Sequence, residues 1–187
     1  MSLDLTDRRS LMASLPKGGI SAEIGVSEGS FSDVLLDACL PRELHLIDSW
    51  TWNPSEALKD DASNVPQVNQ AERYDSLVRR LQADSRVKIL RLSSLEAVKK
   101  FPNEYFDWVY IDADHTQAYV DAVAWWPKVK VGGWLTGHDY TLAGGHITTK
   151  TDVDRFVAEY GLDLFVTRGD TNIYEKNYPS WVVRKTR

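Results

Sequence analysis

Glu23-Ile-Gly25-Val-Ser-Glu-Gly29 is the stretch on which the reading of this sequence turns. Ile20 to Val26 is a short apolar run interrupted by Glu23, and after Gly29 the spacing becomes helical, with Phe31, Val34, Leu35 and Ala38 in phase. The segment therefore reads as strand, glycine turn, helix. Glycines at such a turn let the backbone approach a ligand closely, and the first turn of the helix offers free N–H groups and the positive end of its dipole. That suits a carboxylate or another anion. The spacing Gly25-x-x-x-Gly29 is not the Gly-x-Gly-x-x-Gly of dinucleotide enzymes, and taken alone a tight turn explains it equally well.

Upstream, Asp4 or Thr6 is expected to cap a short helix through Leu11, Met12 and Leu15, ended by Pro16-Lys-Gly18-Gly19. Downstream, Pro41 closes the first long helix and Leu44 to Asp48 alternates as a second strand, which makes a parallel β-α-β unit. Residues 49–70 are polar and rich in Asn, Asp and Ser, and read as a mobile lid. A helix over 71–84 follows, with Tyr74, Leu77, Val78 and Leu81 on one face, then a strand over 87–92 and a short helix over 95–101. Phe106 to Ile111 is apolar enough for a sheet centre and ends at Asp112. A helix over 117–129, with Val120, Val123, Ala124 and Trp126 on one side and Pro127 breaking its last turn, leads to a fifth strand, 134–137, ending at His138-Asp139. After a helix through Val153, Phe156, Val157 and Tyr160, the stretches 162–167 and 172–184 read as an antiparallel pair of strands with no helix between them. The expected fold is α/β: a Rossmann-like, doubly wound sheet of seven strands, mostly parallel, with the last strand antiparallel.

Composition narrows the function. A chain of 187 residues with 43% hydrophobic and 26% charged residues fits one folded domain, taken as residues 1–187. A net charge of -5 without basic clusters argues against nucleic acid as a partner, and no apolar run approaches the ~20 residues of a membrane span. The single cysteine, Cys39, excludes an internal disulfide and reads as a small core residue, in keeping with a cytoplasmic location.

Ligands in doubly wound sheets sit at the carboxyl ends of the strands. Glu23 to Gly29, Asp48, Ser93-Ser94, Asp112 to His115 and His138-Asp139 lie at or just beyond those ends. Asp48, 25 residues after Glu23, is placed to accept hydrogen bonds from both hydroxyls of a ribose. Trp50 and Trp52 either cover a ligand or anchor the lid. Trp125, Trp126 and Trp181 read as core, and His45 as a structural histidine within its strand.

Ala22-Glu-Ile-Gly-Val-Ser-Glu-Gly29, Leu46-Ile-Asp48, Phe106-Asp-Trp-Val-Tyr-Ile-Asp-Ala-Asp-His115 and Val131-Gly-Gly-Trp-Leu-Thr-Gly-His-Asp-Tyr140 together resemble class I S-adenosylmethionine-dependent O-methyltransferases, in the small branch that includes macrocin-type enzymes and is similar to caffeoyl-CoA O-methyltransferases. The resemblance implies that Glu23 and Gly25, in the turn that ends at Gly29, contact the methionine part of the cofactor and that Ser30 or Ser32 holds its carboxylate. It places Asp48 on the ribose, Ser94 near the adenine and Asp114 near the methionine amino group. In metal-dependent relatives the positions of Asp112, His138 and Asp139 bind a divalent ion; His138 stands here for an oxygen ligand, and imidazole suits Zn, Fe or Ni better than Mg²⁺. Without a metal, a histidine must take the proton. His138 is preferred because it ends the fifth strand, with His115 and His146 as alternatives and Asp139 beside them.

The expected activity is methyl transfer to an oxygen of a small-molecule acceptor, a sugar or a phenol. The few residues before the first strand are expected to leave the site open, to be completed by a large acceptor or by a second copy in a homodimer. A non-catalytic domain holding the cofactor or a nucleoside is the alternative, and a nicotinamide-dependent oxidoreductase is disfavoured by the glycine spacing.

Overall fold

The computed structural model describes residues 2–56, 63–142 and 147–187. The chain alternates helix and strand: α1 (Arg8–Ala13), β1 (Ile20–Ile24), α2 (Ser30–Cys39), β2 (Glu43–Asp48), α3 (Gln67–Leu81), β3 (Val87–Arg91), α4 (Ser94–Ala97), β4 (Phe106–Ile111), α5 (Ala118–Trp125), β5 (Val129–Gly137), α6 (Thr149–Tyr160), β6 (Leu164–Val166), α7 (Ile173–Asn177) and β7 (Trp181–Arg184). The seven strands form one sheet in the order β3-β2-β1-β4-β5-β7-β6, and only β7 runs against the others. The expected fold is the observed one. Among the described residues no helix is long and apolar enough to cross a membrane.

Both faces of the sheet are covered, so alternate residues of the central strands enter two separate cores. Ala22, Ile24, Ile47, Val109 and Ile111 pack under α4, α5 and α6, together with Trp125, Trp126, Phe156 and Trp181. Leu44, Leu46, Trp108 and Tyr110 face the other way, against Leu11 and Met12 of α1, Leu35, Leu36 and Cys39 of α2 and Leu77 of α3. Cys39 and the three tryptophans read as core are buried, and His45, also buried, is held 2.6 Å from Glu43.

Several boundaries differ from the sequence expectation. The α1 cap is Asp7, which accepts from Ser10 N at 2.7 Å; Asp4 instead holds Thr6. α3 begins at Gln67 behind Pro66, so residues 67–70 of the expected lid are helical. Gln67 ties the lid base together, accepting from Trp52 N and donating to Trp50 O, both at 3.0 Å. Trp50 is an anchor, fully buried and donating to Ser27 O at 2.9 Å, whereas Trp52 is exposed. Lid residues 57–62 lie outside the described residues, as does His146. Pro127 ends α5 in a turn of 3₁₀ helix, and β5 starts at Val129, five residues earlier than read. The buried side of α5 is Ala118, Asp121, Ala122 and Trp125, while Val120 is exposed. The two closing strands are joined through a helix: α7 interrupts the run read as strand because Asn172 caps it, accepting from Glu175 N at 3.0 Å.

The pairing register sets the carboxyl edge. Ile24 lies beside both Ile47 and Ile111, and Ile111 beside Gly137, so the next residues, Gly25, Asp48, Asp112 and His138, form a row. Gly25 is obligatory in that row: its φ is +87°, and a Cβ there would lie 2.0 Å from the backbone oxygen of Asp112. Gly132 has nearly the same φ, +86°, with open space around it. Gly132→Ala therefore incurs only the left-handed backbone penalty, about 1–2 kcal/mol. Gly25→Ala adds a clash with a central strand and is expected to cost at least ~3 kcal/mol or to prevent folding. Denaturant unfolding of the two variants checks the difference; equal losses would remove the close-approach argument.

Candidate functional site

A cavity of about 480 Å³ opens at the carboxyl edge, within the range of about 300–1,000 Å³ typical of small-molecule sites. Its wall takes Asp139 from the end of β5, Asp112 from β4, Glu23 and Gly25 from β1, Asp48 from β2 and Ser93-Ser94 from the end of β3. Because strand order is spatial order, these groups run across the sheet in that sequence.

Glu23 is 1% exposed and accepts from Ser32 Oγ, which is itself buried. Burial raises its pKa to about 8 against the Ser32 hydrogen bond, and the charges of Asp112 and Asp48 add to the rise. Asp48 is fixed by three backbone donors: Val26 and Ser27 N–H at 2.9 Å on Oδ2 and Trp50 N–H at 2.8 Å on Oδ1. A carboxylate has about four acceptor sites, which leaves room for one further donor. Gly29 and Ser30 are outside this wall. Gly29 caps α2 and packs on Leu77 and Arg80, and Ser30 is exposed on a separate depression lined by Arg73 and Arg80. Of the two serines, only Ser32 reaches the Glu23 end.

At the β3 end, Trp125 Nε1 donates to Ser94 Oγ at 2.9 Å, and Ser94 donates to Asp121 at 2.5 Å. Asp121 is 4% exposed, and burial lifts its pKa to about 6 against the Ser94 bond. Asp114 lines the cavity but is turned onto its own loop, accepting from Thr116 N at 2.9 Å, Thr116 Oγ1 at 2.6 Å and Gln117 Nε2 at 2.7 Å. Burial works against the charged form there, but the Thr116 and Gln117 bonds prevail and its pKa falls.

At the other end, Asp139 bridges two imidazoles. Its Oδ1 is 3.0 Å from His138 Nδ1 and its Oδ2 is 3.2 Å from His115 Nδ1. Asp139 sits at φ +54°, a left-handed conformation that a β-strand end imposes on few non-glycine residues. Asp112 Oδ1 is 3.9 Å from the same His138 nitrogen, and one ligand atom from each of Asp112, His138 and Asp139 falls within 4.8 Å of the others. His138 is 3% exposed, lies behind the wall rather than in it, and has Nε2 buried without a hydrogen-bond partner. Burial favours its neutral ring, but Asp112 and Asp139 outweigh burial and raise its pKa. His115, by contrast, lines the cavity.

Two groups here escaped the sequence reading. Arg8 of α1 lies 4.7 Å over the Phe31 ring and 5.7 Å from the Tyr174 ring, and its Nε is 2.9 Å from Glu175 of α7. Tyr174 lines the cavity and stacks on His138 with centroids 5.8 Å apart. The helix before the first strand and the helix before the last thus meet beside the Asp112–Asp139 end. The only early signal was Asn172-x-x-Glu175, a helix-start pattern hidden in an apolar run.

Comparison with known proteins agrees with this geometry. A family model described as a methyltransferase domain matches residues 22–140, more than half of the chain. Among solved structures, the chain is similar to a protein from Corynebacterium glutamicum at 18% identity and a TM-score of 0.65, with 99% of this chain and 84% of that one covered. It is similar to a precorrin-6y C5,15-methyltransferase from Geobacter metallireducens GS-15 at 16% identity and a TM-score of 0.65, covering 95% and 88%. A spermidine synthase from Thermotoga maritima matches at 17% identity and a TM-score of 0.61, covering 94% of this chain and 55% of that one. At these identities the likeness is one of fold. Among curated protein sequences none matches. With the family model spanning the strand ends that build the cavity, the chain belongs to the methyltransferase-domain family and is an S-adenosylmethionine-dependent methyltransferase.

Proposed function

We propose that the chain transfers the methyl group of S-adenosylmethionine to an oxygen of a small-molecule acceptor, a sugar or a phenol, at the Asp112–His138–Asp139 end of the cavity. The observation that carries this reading is Asp139, whose two oxygens hold two imidazoles beside a second acid, Asp112. Such a constellation takes and holds a proton, which a hydroxyl acceptor must lose.

The wall fits the methyl donor. Glu23 and Asp121 are buried acids without a cationic hydrogen-bond partner among the described residues, an arrangement that a ligand carrying positive charge and N–H donors relieves. S-adenosylmethionine supplies the electrophilic methyl carbon on its sulfonium. Glu23 faces the cationic methionine end, and Asp48, held rigid by its three N–H bonds, receives a ribose hydroxyl.

The Asp112–His138–Asp139 set also fits a divalent ion. One ion with bonds of about 2.1 Å has donor–donor edges of about 3–4 Å, and the observed edges from His138 Nδ1 are 3.0 and 3.9 Å. One imidazole nitrogen and two carboxylate oxygens suit Mn, Fe or Zn better than Mg. A bound ion would add Lewis acidity that lowers the pKa of a neighbouring hydroxyl. His138 serves as a ligand or a prop in this reading rather than as the base, because neither of its nitrogens reaches the cavity free. His115 is the proton acceptor: Asp139 orients its Nδ1, and Nε2 is left for the acceptor's O–H. The proton passes to His115, the acceptor oxygen bonds the methyl carbon, and the carbon–sulfur bond breaks.

Calorimetry should give micromolar binding of S-adenosylhomocysteine and none of NAD, and Asp48→Ala should weaken it at least tenfold, about 1.4 kcal/mol; unchanged affinity would end the ribose assignment. His115→Gln should lower kcat by about 10²–10⁴ with cofactor affinity held within about threefold, and activity lost to a chelator and restored by Mn²⁺ or Zn²⁺ separates the metal-dependent version from the one resting on His115 alone. Glu23, protonated near neutral pH with a pKa of about 8, is pulled back towards its ordinary value by a cationic ligand. Binding near pH 7 should therefore release close to one proton, and affinity should rise with pH and level off above about 8. The dependence of the calorimetric enthalpy on the buffer's ionisation heat reads this directly, and Glu23→Gln should abolish it.

A further inference from the structure

We infer that the guanidinium of Arg8 binds an anionic group on the acceptor, so that the hydroxyl compound methylated here is an acid carrying a carboxylate or a phosphate, a step that rests on the oxygen-methylation reading of the same site. The described residues that line the cavity include no Lys or Arg. Arg8 supplies a cation beside it: its guanidinium lies 4.7 Å over Phe31 and 5.7 Å from Tyr174, and both of those rings line the cavity. Tyr174 in turn stacks on His138, with ring centroids 5.8 Å apart. The guanidinium is therefore next to the Asp112–His138–Asp139 end, where the acceptor's hydroxyl is placed.

The donors of Arg8 are only partly used. Glu175 Oε1 is 2.9 Å from Arg8 Nε, and Glu175 Oε2 accepts the backbone N–H of Arg8 at 3.3 Å. Neither Nη of Arg8 hydrogen-bonds a described residue, while the side chain is 26% exposed. A guanidinium packed over an aromatic face keeps its edge N–H groups available, and a carboxylate or a phosphate takes two of them at once. Burial lowers the pKa of Arg8, but Tyr110, Glu175, Asp112 and Tyr174 outweigh it and raise the value, so the charge is secure. Those neighbours belong to β4, the loop after it and α7, the elements of the reacting end. Tyr174 adds a second donor: burial and the charge of Asp139 push its phenol up to about 12, and its O–H has no hydrogen-bond partner among the described residues. The acids at this end are already answered, Asp139 by His138 and His115 and Glu175 by Arg8, so the groups left over are donors. The cofactor's own carboxylate has donors elsewhere. α2 has no side-chain cap, which leaves the N–H groups of its first turn open, and Phe31 of that turn lines the cavity.

The test is titration of the S-adenosylhomocysteine complex with matched hydroxyl compounds: protocatechuate against its neutral amide for a carboxylate, and glucose 6-phosphate against glucose for a phosphate. In the wild type one anionic member should bind at least about tenfold more tightly than its neutral partner, as a hydrogen bond to a charged group implies, and the pair that responds identifies the anion. In Arg8→Gln that preference should fall to within about threefold, with S-adenosylhomocysteine affinity held within about threefold of the wild type. Equal binding within both pairs, no binding of either anion at millimolar concentration, or a preference that survives in Arg8→Gln overturns the inference while leaving the methyl-transfer reading in place. A loss of about tenfold or more in S-adenosylhomocysteine affinity in Arg8→Gln assigns Arg8 to the cofactor's carboxylate and overturns it as well. Absence of any S-adenosylhomocysteine binding by the wild type is a different result, and it removes the methyl-transfer reading and this inference together. Should Arg8→Gln not fold, a crystal structure of the wild-type protein with S-adenosylhomocysteine and the responding anion decides: anion oxygens within hydrogen-bond distance of an Arg8 Nη support the assignment, and an anion held elsewhere overturns it.

Discussion

Strands β1 and β4 come so close at their carboxyl ends that Gly25 has no room for a side chain against the Asp112 backbone oxygen. That contact is where the winding of the sheet reverses: β1 continues outward to β2 and β3, and β4 continues the other way to β5 and β7. The loops after β1 and β4 therefore diverge, and the gap between them is the cavity. Hydrogen bonds from Gly25 N to Ile47 O at 2.9 Å and from Asp112 N to Ile24 O at 2.7 Å carry the register across the reversal. Displacing one strand end would move acids in three neighbouring loops at once.

The same edge concentrates carboxylates that water would solvate better. Glu23 and Asp121 have raised pKa values through burial, and Asp112 is raised by burial against the pull of His138. Asp139, equally enclosed, goes the other way because its bonds to His138 and its attraction to His115 outweigh burial. Groups so close in space and so divided in protonation mark a site that is preorganised for a charged ligand rather than one optimised for the empty protein. Arg8 offsets part of this acidity from the α1 side, held in place by aromatic rings and by Glu175.

The central part of the fold was legible because β1, β2, β4 and β5 each announce themselves twice, by an apolar run and by an acid or glycine at the end. Glu23, Asp48, Asp112, Asp139 and His115 were identified for the same reason, and they meet around one cavity. The resemblance placed Gly29 and either Ser30 or Ser32 at the cofactor; the first turn of α2 rotates Ser30 away from Glu23 and brings Ser32 to it. Asp121 was invisible because apolar periodicity drew attention to Val120 and Val123, whereas the face that packs is Ala118, Asp121, Ala122 and Trp125, with the acid inside it. Arg8 could not be read at all: its partner Glu175 lies 167 residues further along the chain, a pairing that no local pattern encodes. α7 was missed because its turns are set by Asn172 and not by hydrophobic spacing.

The meeting of Arg8 with α7 has a consequence for the order in which the molecule matures during synthesis. The β3 end of the cavity is complete once the chain has passed α5, whereas the opposite end waits for Tyr174, Glu175 and the β7 partner of β5. A chain emerging in order thus completes the Ser94–Asp121 end of the cavity before it can assemble the Asp112–Asp139 end, which waits for residues 173–184.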